Sequence, residues 1–185
     1  INVDTIDKGE AIKVAWENIA IPSFLFGCET TSYTSKTINT LEKIQCKVAK
    51  LCLGVRQDTS GLGARVEAGM MRISTRIIQR QLNYLNSVLI RPSQSNVYQA
   101  WMENTHGKWK SPLYKLWSDI KDKSNTRGVL KPSLVKKSIE ALENLFIERN
   151  ISNHSSLQFM TSHSLKKRGI YLRRSRPQDI LKAFR

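Results

Sequence analysis

The sequence is poor in the residues that build disulfides and zinc sites. It has three cysteines, an odd number without a Cys-x-x-Cys spacing, and three scattered histidines. Because zinc sites are assembled from closely spaced pairs of these residues, the spacing excludes a zinc knuckle within this chain. We instead predict that Cys28, Cys46 and Cys52 are small, reduced core residues of an intracellular protein.

Long apolar runs are also missing. No stretch approaches the roughly 18 consecutive apolar residues of a membrane-spanning helix. The N-terminus lacks the basic, apolar and small-residue order of a signal peptide. The chain begins at Ile1 without a methionine, so we expect it to be a fragment of a longer protein.

Acidic residues are few compared with basic ones. Thirty lysines and arginines face fifteen aspartates and glutamates, which gives a formal net charge of +15. This excess is larger than solubility requires and favours a polyanionic partner, with nucleic acid as the first choice and an anionic membrane surface as its competitor. The net charge rises from zero over residues 1–54 to +7 over residues 151–185.

The sequence also lacks a recognisable set of catalytic residues. A polymerase that uses two metal ions needs paired aspartates, and the chain has no adjacent Asp-Asp. Asp119 and Asp122 share a helix face among lysines without a third carboxylate, which is typical of a solvated helix end. Gly61-x-Gly63 lacks the strand, third glycine and acidic residue of a dinucleotide fingerprint, so we predict a loop. No catalytic residue is assigned.

Two long amphipathic segments dominate what the sequence does contain. Residues 35–53 and 73–89 carry apolar side chains at helical spacing, which at about 100° per residue cover one face of each helix. The apolar positions are Ile38, Leu41, Ile44, Val48, Leu51 and Cys52 in the first, and Ile73, Ile77, Ile78, Leu82, Leu85, Val88 and Leu89 in the second. Opposite them lie a lysine stripe (Lys36, Lys43, Lys47 and Lys50) and an arginine stripe (Arg72, Arg76 and Arg80).

Further helices are predicted on both sides of this pair. A first helix over residues 5–21 ends or kinks at Pro22, because proline disrupts a regular helix. A short helix is expected over residues 62–68, and Pro132 starts a stronger one. The apolar side of that last helix comprises Leu134, Val135, Ile139, Leu142, Leu145 and Phe146. We interpret Trp101, Trp109 and Trp117 as core residues rather than base platforms. The predicted fold class is all-α.

Several spaced landmarks resemble a known family. They are Leu25-Phe26-Gly27-x-Glu29, Leu41-Glu42-x-Ile44-Gln45, Leu53-Gly54, Glu67-x-Gly69 and Arg76-Ile77 followed by Gln81-Leu82. In this order they resemble the thumb region of reverse transcriptases from non-long-terminal-repeat, LINE-like retrotransposons. The resemblance covers residues 5–90. The chain departs from the family pattern at Phe26, at Thr30-Thr31-Ser32 and at Met70-Met71, where other aromatic or proline residues are commoner.

The resemblance implies a domain organisation and a function. A thumb-like helical bundle over residues 1–91 would be followed by a helical connection region over 92–150 and a basic C-terminal segment over 151–185. The chain would be a non-catalytic part of an RNA-directed DNA polymerase, located in the nucleus, the cytoplasm or both. It would grip template and primer for a palm domain outside this chain. We expect no cofactor here, because the divalent metal would belong to that palm.

Nucleic-acid contacts are predicted from the two stripes and from the basic C-terminal segment, where Tyr171 lies among cations and can stack on a base. The predicted contacts are Lys43, Lys47, Lys50, Arg72, Arg76, Arg80, Lys166, Lys167, Arg168, Tyr171, Arg173, Arg174 and Arg176. The expected partners are RNA, DNA or an RNA/DNA hybrid, and the palm domain of the same polyprotein. No membrane partner and no small-molecule ligand are expected.

Two other functions stay open. One is a host-adopted RNA- or DNA-binding module that kept the thumb and lost the polymerase. The other is a helical protein-interaction scaffold whose tryptophan-rich section serves as the docking surface.

Overall fold

The computed structural model of the chain describes residues 8–31, 33–106, 112–123 and 129–152. Every secondary-structure element within these ranges is a helix, which confirms the predicted all-α fold class. Trp109 and the seven predicted contacts between Lys166 and Arg176 lie outside the described residues.

The first helical stretch runs from α1 (Lys8–Ala15) through a π-helical turn (Trp16–Ala20) into α2 (Ile21–Phe24). We predicted that this stretch ends or kinks at Pro22, and it does not end there. The Ile21 N–H bonds to the Trp16 carbonyl five residues back. This wider turn accommodates a proline, which has no N–H to contribute to the ladder, so the helix continues to Phe24.

α3 (Ser35–Leu53) has a defined cap at each end. The Thr34 side chain accepts the Thr37 N–H at 3.2 Å, so Thr34 is the N-cap. Gly54 ends the helix in the left-handed conformation, with φ 64° and ψ 23°. Glycine adopts this conformation without steric cost. The caps therefore fix where the lysine stripe begins and ends.

α4 (Gly61–Glu67) occupies the segment in which the Gly61-x-Gly63 loop was predicted. Ser60 accepts the Gly63 N–H at 3.3 Å and caps this helix. A Cβ at Gly61 would meet the Cys46 side chain of α3 at 3.1 Å. The loop prediction is wrong here, because Gly61 belongs to a helix that packs closely on α3, and the short helix predicted over residues 62–68 is confirmed.

The buried face of α3 differs from the predicted one. Its buried residues are Gln45, Ala49, Cys52 and Leu53. Ile44 and Leu51, which we predicted to be inward, are 36% and 56% exposed. α3 packs against α1 and α4, and a Cβ on Gly9 of α1 would collide with the Cys52 carbonyl oxygen. Helices that approach each other so closely have small side chains where they touch. The bulky residues of α3 therefore lie outside its contact with α1.

Four more helices follow: α5 (Ile73–Leu89), α6 (Asn96–His106), α7 (Pro112–Lys123) and α8 (Pro132–Ser152). α5 confirms its predicted pattern, since its buried apolar residues are Ile73, Ile77, Leu82, Leu85 and Val88. Pro132 starts α8, also as predicted.

The buried row of α8 repeats every four residues. Val135, Ile139, Glu143 and Ile147 are each 1% exposed or less. Leu145 was predicted to be inward but is 50% exposed. It lies two residues from Glu143, and two residues turn an α-helix by roughly 200°, so Leu145 lies on the other side of the helix.

Packing divides the described residues between two compact units. The first unit lies within residues 1–26, 32–74 and 144–185, and the second within 27–31 and 75–143. In the first unit, Val66 and Ile147 form a buried contact that Leu62 and Phe146 flank. In the second unit, the largest buried side chains include Leu82, Leu85, Leu130 and Ile139. The sequence-based division at residues 91 and 150 stays a prediction.

Candidate nucleic-acid interface

Three members of the lysine stripe are solvent-exposed on α3. Lys36, Lys43 and Lys47 are exposed, and the helical repeat places them nearly opposite to the buried Gln45 and Ala49. Lys43 and Lys47 are one turn apart, about 6 Å along the helix axis. They present two neighbouring ammonium groups on a helix that is packed on its other side.

Lys50 differs from the other lysines. It is half-buried, and its Nζ donates to the Gln57 carbonyl at 2.6 Å. This bond ties the last turn of α3 to the loop that follows. Lys50 therefore has a structural role in addition to its charge.

The arginine stripe lies in a more protected setting. Arg72, Arg76 and Arg80 are all half-buried. Arg80 Nη1 lies 3.5 Å from Glu29 Oε1, with the two side chains 33% and 30% exposed. This ion pair offsets part of the charge that we predicted for phosphate contact.

Polar residues among the family landmarks form contacts that hold the fold together. Gln81 donates from Nε2 to the Cys28 carbonyl at 3.0 Å. Together with the Arg80 to Glu29 ion pair, this bond holds the turn over residues 27–31 against α5. Glu29 and Gln81 are both landmark residues. The hydrogen bond from Gln81 to the Cys28 carbonyl joins positions that are 53 residues apart in the sequence.

Two more landmark residues fix the chain that leads into α5. Glu42 Oε1 accepts the N–H and the hydroxyl of Ser74, each at 3.1 Å. The carboxylate thus caps the first turn of α5, where the helix dipole favours negative charge. Gln45 donates from Nε2 to the Met71 carbonyl at 2.8 Å. α3 therefore holds this segment at two points.

A cleft of about 400 Å³ opens beside these contacts, within the first unit. Its lining includes Ile38, Glu42, Leu62, Arg65, Arg72 and Phe146. Arg65 is 2% exposed, and its Nη1 donates to the Met70 carbonyl at 3.0 Å. The Arg72 Cζ atom lies 3.5 Å from the centroid of the Phe146 ring, a cation–π contact.

Cys46 also lines this cleft. Burial raises the pKa of its thiol above the ordinary value of 9.0, and Glu42 adds to this rise, while Arg65 and Lys50 oppose it. The thiol is therefore protonated at neutral pH. All three cysteines are free, and Cys28 and Cys52 are buried, as predicted, whereas Cys46 is half-buried.

The described tryptophans of the second unit pack together. The rings of Trp101 and Trp117 meet edge to face, with centroids 6.3 Å apart and an interplanar angle of 78°. Trp117 is 7% exposed, which confirms its prediction as a core residue. Asp119 and Asp122 are exposed on the same helix, α7, as expected of a solvated helix end.

Sequence reasoning missed five buried polar residues among those that the structure describes, which are Gln45, Arg65, Thr75, Asn86 and Glu143. Gln45, Arg65 and Glu143 are 0%, 2% and 0% exposed, and a hydrophobic pattern assigns such residues to the solvent side. Glu143 accepts the Thr75 hydroxyl at 2.7 Å. One signal for Glu143 was available, because it continues the four-residue spacing of Val135 and Ile139.

Metal sites and membrane spans do not occur among the described residues. None of their His, Cys, Asp and Glu side chains form a group of three or more that could hold a metal ion. No helix in the same ranges is long and apolar enough to cross a bilayer.

Comparison of the chain with protein-family models, with curated proteins and with solved structures finds no match in any of the three. The family resemblance therefore depends on the sequence landmarks alone.

Proposed function

We propose that this chain is the nucleic-acid-binding thumb and post-thumb part of a LINE-like RNA-directed DNA polymerase. It grips template and primer for a palm domain outside this chain and catalyses no reaction itself. One observation carries the proposal: α3 exposes Lys43 and Lys47 opposite its packed face, in a chain of net charge +15. A rigid cationic helix of this kind suits the phosphate backbone of a duplex.

The lysines support phosphate contact better than the arginines do. Exposed ammonium groups replace condensed counterions along the strand, and the release of those ions drives binding. Arg80 is partly neutralised by Glu29, and Arg72 stacks on Phe146. Lys43 and Lys47 are therefore the principal contacts of the described residues, and the cations from Lys166 to Arg176 remain predicted contacts.

Exposed apolar side chains support the proposed palm partner. Val14, Ile19 and Phe26 are 48%, 67% and 87% exposed along the first helical stretch and the turn after it. Large apolar and aromatic side chains are common in the buried centres of protein interfaces. In the proposed assembly the palm domain covers these side chains.

Charge-neutralising substitution of the two lysines tests the proposal. We expect K43Q/K47Q to weaken binding to an RNA/DNA hybrid, measured by fluorescence anisotropy. At about 0.1 M salt each phosphate contact contributes roughly 0.9 log units of affinity, so the double variant should bind at least about tenfold more weakly.

The matched control is K136Q/K137Q, which removes the same charge from two exposed lysines of α8. It should bind nearly as tightly as the unsubstituted chain. Equally weakened binding by the two double variants would show that only net charge matters, and this result would remove the lysine stripe from the interface.

These exposed apolar side chains also favour a second candidate function, a helical protein-interaction scaffold. This function predicts partner binding that is insensitive to salt, together with negligible RNA binding. A host-adopted binding module would behave like the polymerase fragment in the hybrid assay. The full reading frame separates those two, because the polymerase requires a palm with paired aspartates upstream.

A further inference from the structure

The cleft beside α5 has the size and chemistry of a small ligand site. Its volume of about 400 Å³ falls within the roughly 300–1,000 Å³ range of ligand pockets. Apolar side chains from α3, α4 and α8 form part of its wall, with Ile38, Leu62 and Phe146 as members. Polar groups of both signs interrupt that wall.

The polar groups of the cleft are held in place before any ligand arrives. Arg65 is almost wholly buried, and its Nη1 bonds to the Met70 carbonyl. Glu42 uses Oε1 for both Ser74 donors, which leaves Oε2 as an acceptor. Such fixed groups need little reorganisation when they bind a ligand.

The electrostatics of the cleft favour an anionic ligand. Two guanidinium groups, from Arg65 and Arg72, and the single carboxylate of Glu42 are its ionised groups, so the lining has a net charge of +1. The Glu42 carboxylate is already compensated by the N-terminus of α5. Guanidinium groups are well suited to phosphate oxygens because their N–H donors match phosphate geometry.

The aromatic and amide groups of the cleft favour a nucleobase on that anion. The Phe146 ring backs the Arg72 guanidinium, with Cζ 3.5 Å from the ring centroid, and proteins also stack unpaired bases on guanidinium planes. Asn39 lies on the cleft wall, and its amide has both donors and an acceptor for a base edge. Glu42 Oε2 accepts from an exocyclic amino group.

We propose that this cleft binds one unpaired nucleotide, with its base stacked on the Arg72 guanidinium and its phosphate on the Arg65 side. The nucleotide is either an unpaired residue of the bound strand or a free nucleoside monophosphate. For the strand, the inference rests on the proposed function, since the lysine stripe would hold the adjoining duplex.

The test compares two RNA/DNA hybrids of equal charge. One carries a single unpaired nucleotide at its end, and the other carries an abasic nucleotide at the same position. Because base stacking is worth about 1–3 kcal/mol, the base should raise affinity by at least about fivefold over the abasic control. Cys46 provides a second readout, since a bound nucleotide should slow its alkylation, measured by peptide mass.

Two variants locate the effect in the cleft. R72K keeps the charge but removes the planar group, so it should lose the base-dependent difference between the two hybrids. N39D places a negative charge at the exposed Asn39 and should also abolish that difference. N96D makes the same chemical change at exposed Asn96 of α6 and should keep it. Circular dichroism checks that each variant is folded.

The outcomes separate this inference from the proposed function. If both hybrids bind with equal affinity and Cys46 is alkylated equally fast in both complexes, the nucleotide site is wrong and duplex binding stands. If neither hybrid binds but adenosine or cytidine monophosphate protects Cys46, the site stands and the proposed function is wrong. If no hybrid binds and no nucleotide protects Cys46, both are wrong.

Discussion

The Thr75 hydroxyl and the Glu143 carboxyl form a buried contact of 2.7 Å in the second unit. Glu143 is 0% and Thr75 2% exposed. A buried carboxyl group that loses one hydrogen-bond donor keeps its desolvation cost and loses part of the compensation for it. The hydrogen bond between Thr75 and Glu143 therefore contributes to the stability of the folded state.

We predict that Thr75→Val, which preserves shape but removes the hydroxyl, lowers the free energy of unfolding by about 1–3 kcal/mol. Thr40→Val is the control, because the Thr40 hydroxyl bonds to the Lys36 carbonyl on the exposed side of α3. Its effect should stay within about 0.5 kcal/mol. Urea denaturation measures both, and equal effects would contradict a special role for Thr75.

Glu67 gives the chain a pH dependence that works against folding at neutral pH. Burial raises the pKa of its carboxyl above the ordinary value of 4.5. Between the unfolded and the folded pKa, the folded state binds more protons than the unfolded state, so stability falls as pH rises through this interval.

Glu67→Gln should therefore unfold at a higher temperature than the unsubstituted chain at about pH 7, because only the unsubstituted chain loses stability through the raised pKa of this carboxyl. The difference should shrink below about pH 4, where Glu67 is protonated in both states. Thermal unfolding followed by circular dichroism at both pH values measures this. A difference that does not change with pH would show that burial of charge is not its cause.

At the scale of helices, the N-cap of α3 stabilises the helix that carries the lysine stripe. Thr34 is the N-cap, with its side chain bound to the Thr37 N–H. Thr34→Ala should destabilise the protein by about 0.5–2 kcal/mol, whereas Ser35→Ala, one residue into the helix, should cost much less. Thermal unfolding compares the two, and equal costs would mean that Thr34 is not the cap.

Sequence patterns predicted some helices more completely than others, for a physical reason. In α5 the buried residues are bulky and apolar, so a periodic pattern finds them, and Ile77, Leu82 and Leu85 are buried as predicted. In α3 close packing selects small or polar side chains, so Gln45 and Ala49 are buried, whereas the predicted Ile44, next to Gln45, is exposed. Helix periodicity reports bulk hydrophobicity and not how near a neighbouring helix comes.

The candidate sites were likewise predictable only in part. The exposed positions of Lys43 and Lys47 follow from helical geometry and were predictable. The Arg80 to Glu29 ion pair and the cleft depend on residues that are far apart in the sequence, such as Glu42 with Ser74 and Arg72 with Phe146. Long-range contacts of this kind leave no periodic signal in a single sequence.

At the scale of the whole chain, the excess of cations is the property from which the function is proposed. The fifteen surplus positive charges include the exposed lysines of α3 and the basic C-terminal segment. A polyanionic duplex would neutralise several of them at once and release condensed counterions. A protein-interaction scaffold has no such requirement, because its affinity would come from apolar contacts that salt does not screen.

The most direct test of this account is the salt dependence of hybrid binding by the whole chain. The logarithm of the association constant should fall linearly with the logarithm of salt concentration, with a slope of about −2 or steeper. K43Q/K47Q should make that slope shallower by about 0.9 for each phosphate that the two lysines neutralise. A slope near zero, or no hybrid binding at low salt, would contradict the account.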